Sequence, residues 1–223
     1  MRSIREKTHS VADPHRIKLT FSLDEMEQDA MWTWFISIIA ALVSATPSPT
    51  PDMPPAASDA VIFFDFANPL DNRAWGTVDD PVMGGISRSL WQASENGTAL
   101  WTGAVSLENN GGFCSATSTT FFADLRAYAG VELVVRGAPK DYTFTLRDGR
   151  SWRILHSADF STEGDWQTLR LPFSEFVPER FGVPVRADAL DLSDIRMMGF
   201  IISDKQVGEF SLELATIGLY KND

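Results

Sequence analysis

Apolar and polar residues alternate with period two through much of the second half of this chain, which is the signature of strands with one face buried. Tyr142, Phe144 and Leu146 alternate with Thr143 and Thr145, and Phe210, Leu212 and Leu214 alternate with Ser211 and Glu213. Val131, Leu133 and Val135 form another inward set against Glu132 and Arg136. The run MMGFII, Met197 to Ile202, is apolar on both parities and suits a central strand covered on both faces. From Val61 onward such runs are separated by turn signals at intervals of roughly 8 to 12 residues, the spacing of an all-β sandwich. No segment keeps helical periodicity for three turns, so helices are expected only as short connectors, such as Pro172 to Phe176.

The stretch Trp75 to Phe113 organises the domain. It carries two glycine pairs, Gly84-Gly85 and Gly111-Gly112, with Asn96-Gly97 between them. Asn-Gly suits a two-residue type I′ turn, which predicts a hairpin pairing Trp91 with Thr102 and Gln92 with Trp101. In that register Trp101, Val105 and Leu107 take the core face, and Trp91 lies on the opposite face with Leu100. A slip of one residue would exchange the faces.

Before Val61 the pattern is different. Residues 1–30 are polar, mixed in charge and without period, and read as a disordered leader or as untranslated sequence upstream of Met31. Residues 31–45 form an uncharged apolar run, shorter than the roughly 20 residues a spanning helix needs. It reads as a signal-peptide core, with a membrane anchor as the alternative. Residues 46–60 hold five prolines among Ser, Thr and Ala and form an extended linker, so the domain is expected at 61–223.

Charge and composition narrow the function. The 223-residue chain has a formal charge of −11, and residues 61–223 hold 14 Lys and Arg against 22 Asp and Glu, a balance that repels nucleic-acid backbones. Cys114 is the only cysteine, so it has no disulfide or zinc-site partner and reads as a small buried hydrophobe. The domain has one histidine, His156, and no G-x-S-x-G elbow, so no Ser-His-Asp constellation assembles. Neither glycine pair has the spacing of a nucleotide fingerprint. Asp79, Asp80 and Glu108-Asn109-Asn110 offer oxygen ligands of the kind that hold Ca²⁺, but turn chemistry accounts for them, and neither metal nor cofactor is expected. Trp75, Trp91 and Trp152 are candidates for a sugar-stacking platform, although core packing suits each of them as well.

Four blocks carry a family resemblance: VDDPVMGGISRS, WTGAVSLENNGGFCS, GDWQTLRLPFSEFVP and LSDIRMMGFIISDKQVGEFSLEL, in that order between about Phe63 and Tyr220. Together they resemble the complex I intermediate-associated protein 30 family. The resemblance implies a jelly-roll β-sandwich of the galactose-binding-like type. It also implies a non-catalytic, chaperone-like role in assembling respiratory NADH:ubiquinone oxidoreductase, with membrane complex subunits as partners. Asp79 stands where the family generally has Asn, Pro81 follows Asp80, and Thr117 takes a place that is often basic.

The expected partner surface is the pair of loops Val78 to Ser87 and Glu108 to Phe113. It comprises Asp80, Met83, Gly84, Gly85, Ser87, Glu108, Asn109, Asn110, Gly111 and Gly112. Each of these is also readable as a fold determinant, Gly84 and Gly112 especially, through a positive φ. The alternative function is an exported carbohydrate-binding module. The apolar run points to export or membrane anchoring, whereas the family resemblance points to mitochondria.

Overall fold

The computed structural model describes residues 59–79, 84–203 and 206–222, and for Asn110 the backbone alone. The leader, the apolar run and all but the last two residues of the Pro-rich segment lie outside the described residues.

The described chain is built from antiparallel strands in two sheets. The first takes β3 (Arg88–Ala93), β4 (Ala99–Val105), β13 (Gly208–Tyr220), β6 (Gly130–Gly137) and β9 (Gln167–Pro172) in that spatial order, with β1 (Val61–Asp65) beside the C-terminal half of β13. The second takes β11 (Val183–Pro184), β10 (Val177–Arg180), β8 (Leu155–Thr162), β7 (Lys140–Asp148), β12 (Ile195–Ile202), β5 (Cys114–Ser118) and β2 (Trp75–Thr77). One short helix, α1 (Pro69–Arg73), joins β1 to β2. Its start follows from local chemistry: Asn68 caps it by accepting from the Leu70 amide at 3.0 Å, and Pro69 sits in the first turn, where no amide is needed. The expected connector after β9 is a single 3₁₀ turn, Phe173–Glu175.

The alternating sets meet between the sheets. Tyr142, Phe144 and Leu146 of β7 and Val131, Leu133 and Val135 of β6 are all buried there, as are Phe210, Leu212 and Leu214 of β13. MMGFII becomes β12, interior to its sheet, with Met198, Phe200 and Ile202 inward. Cys114 is fully buried in this core. Rings pack edge to face as their quadrupoles favour, for example Trp101 against Phe210 at 4.8 Å and 70°.

The β3–β4 hairpin corrects the expected register. Trp91 pairs with Trp101, and Ala93 with Ala99. The Gly97 amide donates to the Ser94 carbonyl at 3.2 Å and the Ser94 amide to the Thr98 carbonyl at 2.8 Å, so residues 95–97 form a three-residue loop. Gly97 has φ +74°, the left-handed residue that ends such a loop with a bulge. The extra residue brings Trp91 onto the core face, where it stacks on Trp75 at 4.9 Å and 11° and meets Phe66 edge-on at 5.4 Å. Leu107, expected inward, lies beyond the end of β4 and is exposed.

Candidate functional site

The two glycine-pair loops come together at one edge of the sandwich. Ser87 is buried, and its Oγ donates to the Ser106 carbonyl at 3.2 Å while accepting from the Ser106 amide at 2.9 Å. This reciprocal pair ties the residue before β3 to the residue after β4, immediately ahead of Leu107 and Glu108. Asp79 supplies the second tie. Its carboxylate accepts from the Ser89 amide at 2.5 Å, the Ser89 hydroxyl at 2.6 Å and the Ser115 amide at 3.4 Å, joining the β2–β3 loop to both sheets. The Val78 amide donates to the Ser115 carbonyl at 2.9 Å, and the Ser115 hydroxyl donates to the Val78 carbonyl.

The expected surface residues separate into two kinds within this frame. Gly84, Glu108 and Asn109 are exposed, whereas Gly85 and Ser87 are buried and Gly111 and Gly112 are half-buried. Ser87 therefore serves as a pin between loops and offers no contact surface. Gly84 at φ +95° and Gly112 at φ +141° occupy backbone that L side chains rarely adopt, and Asn109 takes the left-handed conformation at φ +56°. A Cβ on Gly112 would meet Leu107 Cδ2 at 3.1 Å. Asp80, Met83 and the Asn110 side chain lie outside the described residues.

The three tryptophans proposed for ring stacking fall in different places. Trp75 is 7% exposed and Trp91 half-buried, and the two stack on each other within the aromatic cluster. Trp152 is 69% exposed in the turn between β7 and β8, with the Arg153 guanidinium 4.9 Å over its ring.

Other polar clusters have structural partners. Asp148, next to this turn, accepts from Arg150 Nε at 3.0 Å and from the Asp191 amide at 3.1 Å. On the first sheet, Glu213 accepts from Thr98 Oγ1 at 2.6 Å and from Arg136 Nε at 2.7 Å. His156 is buried, with Nε2 3.2 Å from the Asp188 carbonyl. Among the described residues no group of three or more His, Cys, Asp or Glu side chains is arranged to hold a metal ion.

Like His156 through Nδ1, Arg147 has a buried nitrogen, Nε, without a hydrogen-bond partner. Burial pushes its guanidinium below the usual arginine range, and it makes no ion pair among the described residues. Sequence pattern could not have singled it out, because its environment depends on which strands flank β7.

Two antiparallel sheets closed over an aromatic core, with loops pinned at the rim, define a jelly-roll β-sandwich of the galactose-binding-like class. The chain belongs to the complex I intermediate-associated protein 30 (CIA30) family, whose sequence model matches residues 64–214. It is 27% identical over 184 residues to the mouse (Mus musculus) protein named "Complex I intermediate-associated protein 30, mitochondrial", covering 72% of this chain and 56% of that protein. A probable mitochondrial counterpart from Caenorhabditis briggsae is 27% identical over 181 residues, covering 71% of this chain and 53% of that protein. The chain thus spans about half the length of the curated relatives it matches. Among solved structures it is similar to the family 11 carbohydrate-binding module from Clostridium thermocellum in complex with a β-1,3-1,4-mixed-linked tetrasaccharide. That likeness has a TM-score of 0.58 at 16% identity, covering 74% of this chain and 98% of the module. At such identity it establishes a shared fold and nothing about ligand. No helix among the described residues is long and apolar enough to cross a membrane.

Proposed function

We propose that this chain is a non-catalytic protein-binding module that acts as an assembly factor for respiratory complex I. Family membership carries the reading: the curated relatives are named for association with complex I intermediates. The pinned loops Val78 to Ser87 and Glu108 to Phe113 are the rim on which a partner docks. Gly84 is exposed with open space where a Cβ would stand, Asn109 is exposed in the second loop, and the exposed Glu108 adds a negative charge. The role does not require a catalytic group, and the sandwich supplies a rigid frame for the loops.

Affinity capture of the tagged full-length protein from gently solubilised membranes of its own source tests this. Complex I subunits are expected in the captured material, and Glu108→Arg, an exposed change that leaves the core intact, is expected to reduce their recovery several-fold. Recovery of no complex I subunit by the unaltered protein would overturn the proposal.

A further inference from the structure

Three aromatic rings are exposed among the described residues: Phe122, Trp152 and Phe181, at 66%, 69% and 78%. All three lie at one end of the second sheet. Ile195 opens β12 opposite Asp148, the last residue of β7, and Ala123 bridges to Ile195, so Phe122 stands at that level. Trp152 is in the turn that carries β7 into β8. Phe181 is in the turn that carries β10 into β11, two residues after the pairing of Glu179 with Leu155. The opposite end of these strands, where Lys140 pairs with Thr162 and Ile202 with Cys114, has no exposed ring among the described residues.

Each ring has a guanidinium over it: Arg196 is 5.0 Å from the Phe122 centroid, Arg153 4.9 Å from that of Trp152, and Arg180 5.5 Å from that of Phe181. Such a pair joins an apolar body to a cation that hydrogen-bonds. At this end Asp124, Asp148 and Asp194 are already paired with Arg126, Arg150 and Arg196, and Asp188 shares Arg150 at 3.9 Å. Arg153, Arg180 and Arg186 are exposed and make no ion pair among the described residues, and Glu179 beside Arg180 is half-buried. Three unpaired guanidiniums therefore gather here, on a chain whose formal charge is −11.

The backbone at Phe181 is an independent observation. Phe181 and Gly182 are the two residues between the paired Arg180 and Val183, at φ +53° and φ +71°, the pattern of a type I′ turn. Asn, Asp and Gly suit the first of these positions, whereas a phenylalanine is held there against its conformational preference. Its ring lies outside the core cluster, so packing of the fold does not account for it. Val183, 61% exposed, adds apolar surface to the same hairpin.

We propose that this end of the sandwich docks on an anionic lipid membrane. Phe122, Trp152 and Phe181 enter the boundary between headgroups and acyl chains, while Arg153 and Arg180 bond to lipid phosphates. Rings carried by three separate segments at one end of a sheet can enter a fluid interface together, whereas a folded partner has to match each of them in shape. Aromatic rings favour that boundary, the negative surface potential draws guanidiniums to it, and a guanidinium fits phosphate oxygens in two parallel hydrogen bonds. The inference goes beyond the assembly reading and does not depend on it.

The test uses the full-length protein carrying the environment-sensitive fluorophore NBD on Val183→Cys or, beyond the opposite end of β8, on the exposed Glu163→Cys; the native Cys114 is fully buried. A local label separates docking by this end from any contribution of residues 31–45. With vesicles of equal parts phosphatidylcholine and phosphatidylserine, emission from the label at position 183 is expected to shift to the blue, and emission from position 163 to stay unchanged. Affinity for vesicles of phosphatidylcholine alone should be at least tenfold weaker. Trp152→Ser should weaken binding to the mixed vesicles at least tenfold, and Arg153→Glu combined with Arg180→Glu should abolish the preference for phosphatidylserine. Phe181→Asn separates docking from folding, because Asn accepts the left-handed backbone. Its urea midpoint should hold or rise while vesicle affinity falls several-fold, a combination that damage to the fold could not produce. No shift at position 183, equal shifts at both positions, no preference for phosphatidylserine, or unchanged affinity in Trp152→Ser and Phe181→Asn would each overturn the inference. So would binding of the mixed-linked tetrasaccharide or of a protein through these rings without binding to vesicles.

Discussion

Asp79, Ser87 and Asp148 show how single side chains in this protein hold loops together. The Asp79 carboxylate gathers three donors, and the Ser87 hydroxyl both donates and accepts. Neither is dispensable, because a buried amide left without its acceptor costs about 1–3 kcal/mol. Asp148 gives the pH dependence. Burial works to raise its pKa, but bonds from the Arg150 side chain and from the Asp191 and Arg150 amides outweigh burial and hold it below the usual carboxylate range. A group depressed in the folded state adds stability that is fully present above its unfolded pKa, about 3.9, and is lost as pH falls through the folded value. Asp148→Asn should therefore lower stability at pH 7 by about 2 kcal/mol. Urea midpoints should also fall less steeply between pH 5 and pH 3 in the variant than in the parent. Equal slopes would show that Asp148 does not titrate with unfolding.

Among the elements, the β3–β4 hairpin decides where the tryptophans go. Gly97→Ala should destabilise the protein by about 1 kcal/mol through its φ of +74°, since the nearest atom to a new Cβ, Ala67 Cβ, is at a comfortable 3.5 Å. Asn96→Ala should cost less, and denaturant titration of the two variants checks the order. Much of the strand content was legible because period-two alternation survives wherever one face is buried, as in β7 and β13. The hairpin register was not. Asn-Gly fits a two-residue turn, and it also fits a three-residue loop in which only the glycine is left-handed; one residue of difference moves Trp91 from surface to core. The left-handed backbone of Gly84 and Asn109 was readable from turn chemistry, but the burial of Ser87 depends on Ser106, nineteen residues away.

The described domain is a sandwich whose family is established, and its match spans about half the length of the mouse and nematode relatives. The formal charge of the chain is −11, and the core gathers Phe64, Phe66, Trp75, Trp101, Tyr142, Phe144, Phe160, Phe200 and Phe210 between the sheets. Under the proposed function such a frame serves the building of complex I. The most direct test of that function is native-gel analysis of respiratory complexes in membranes of source cells lacking this chain. Loss of mature complex I with accumulation of a smaller subassembly, restored by the unaltered gene, is the expected result. Mature complex I at its normal level, with no accumulated subassembly, would contradict it.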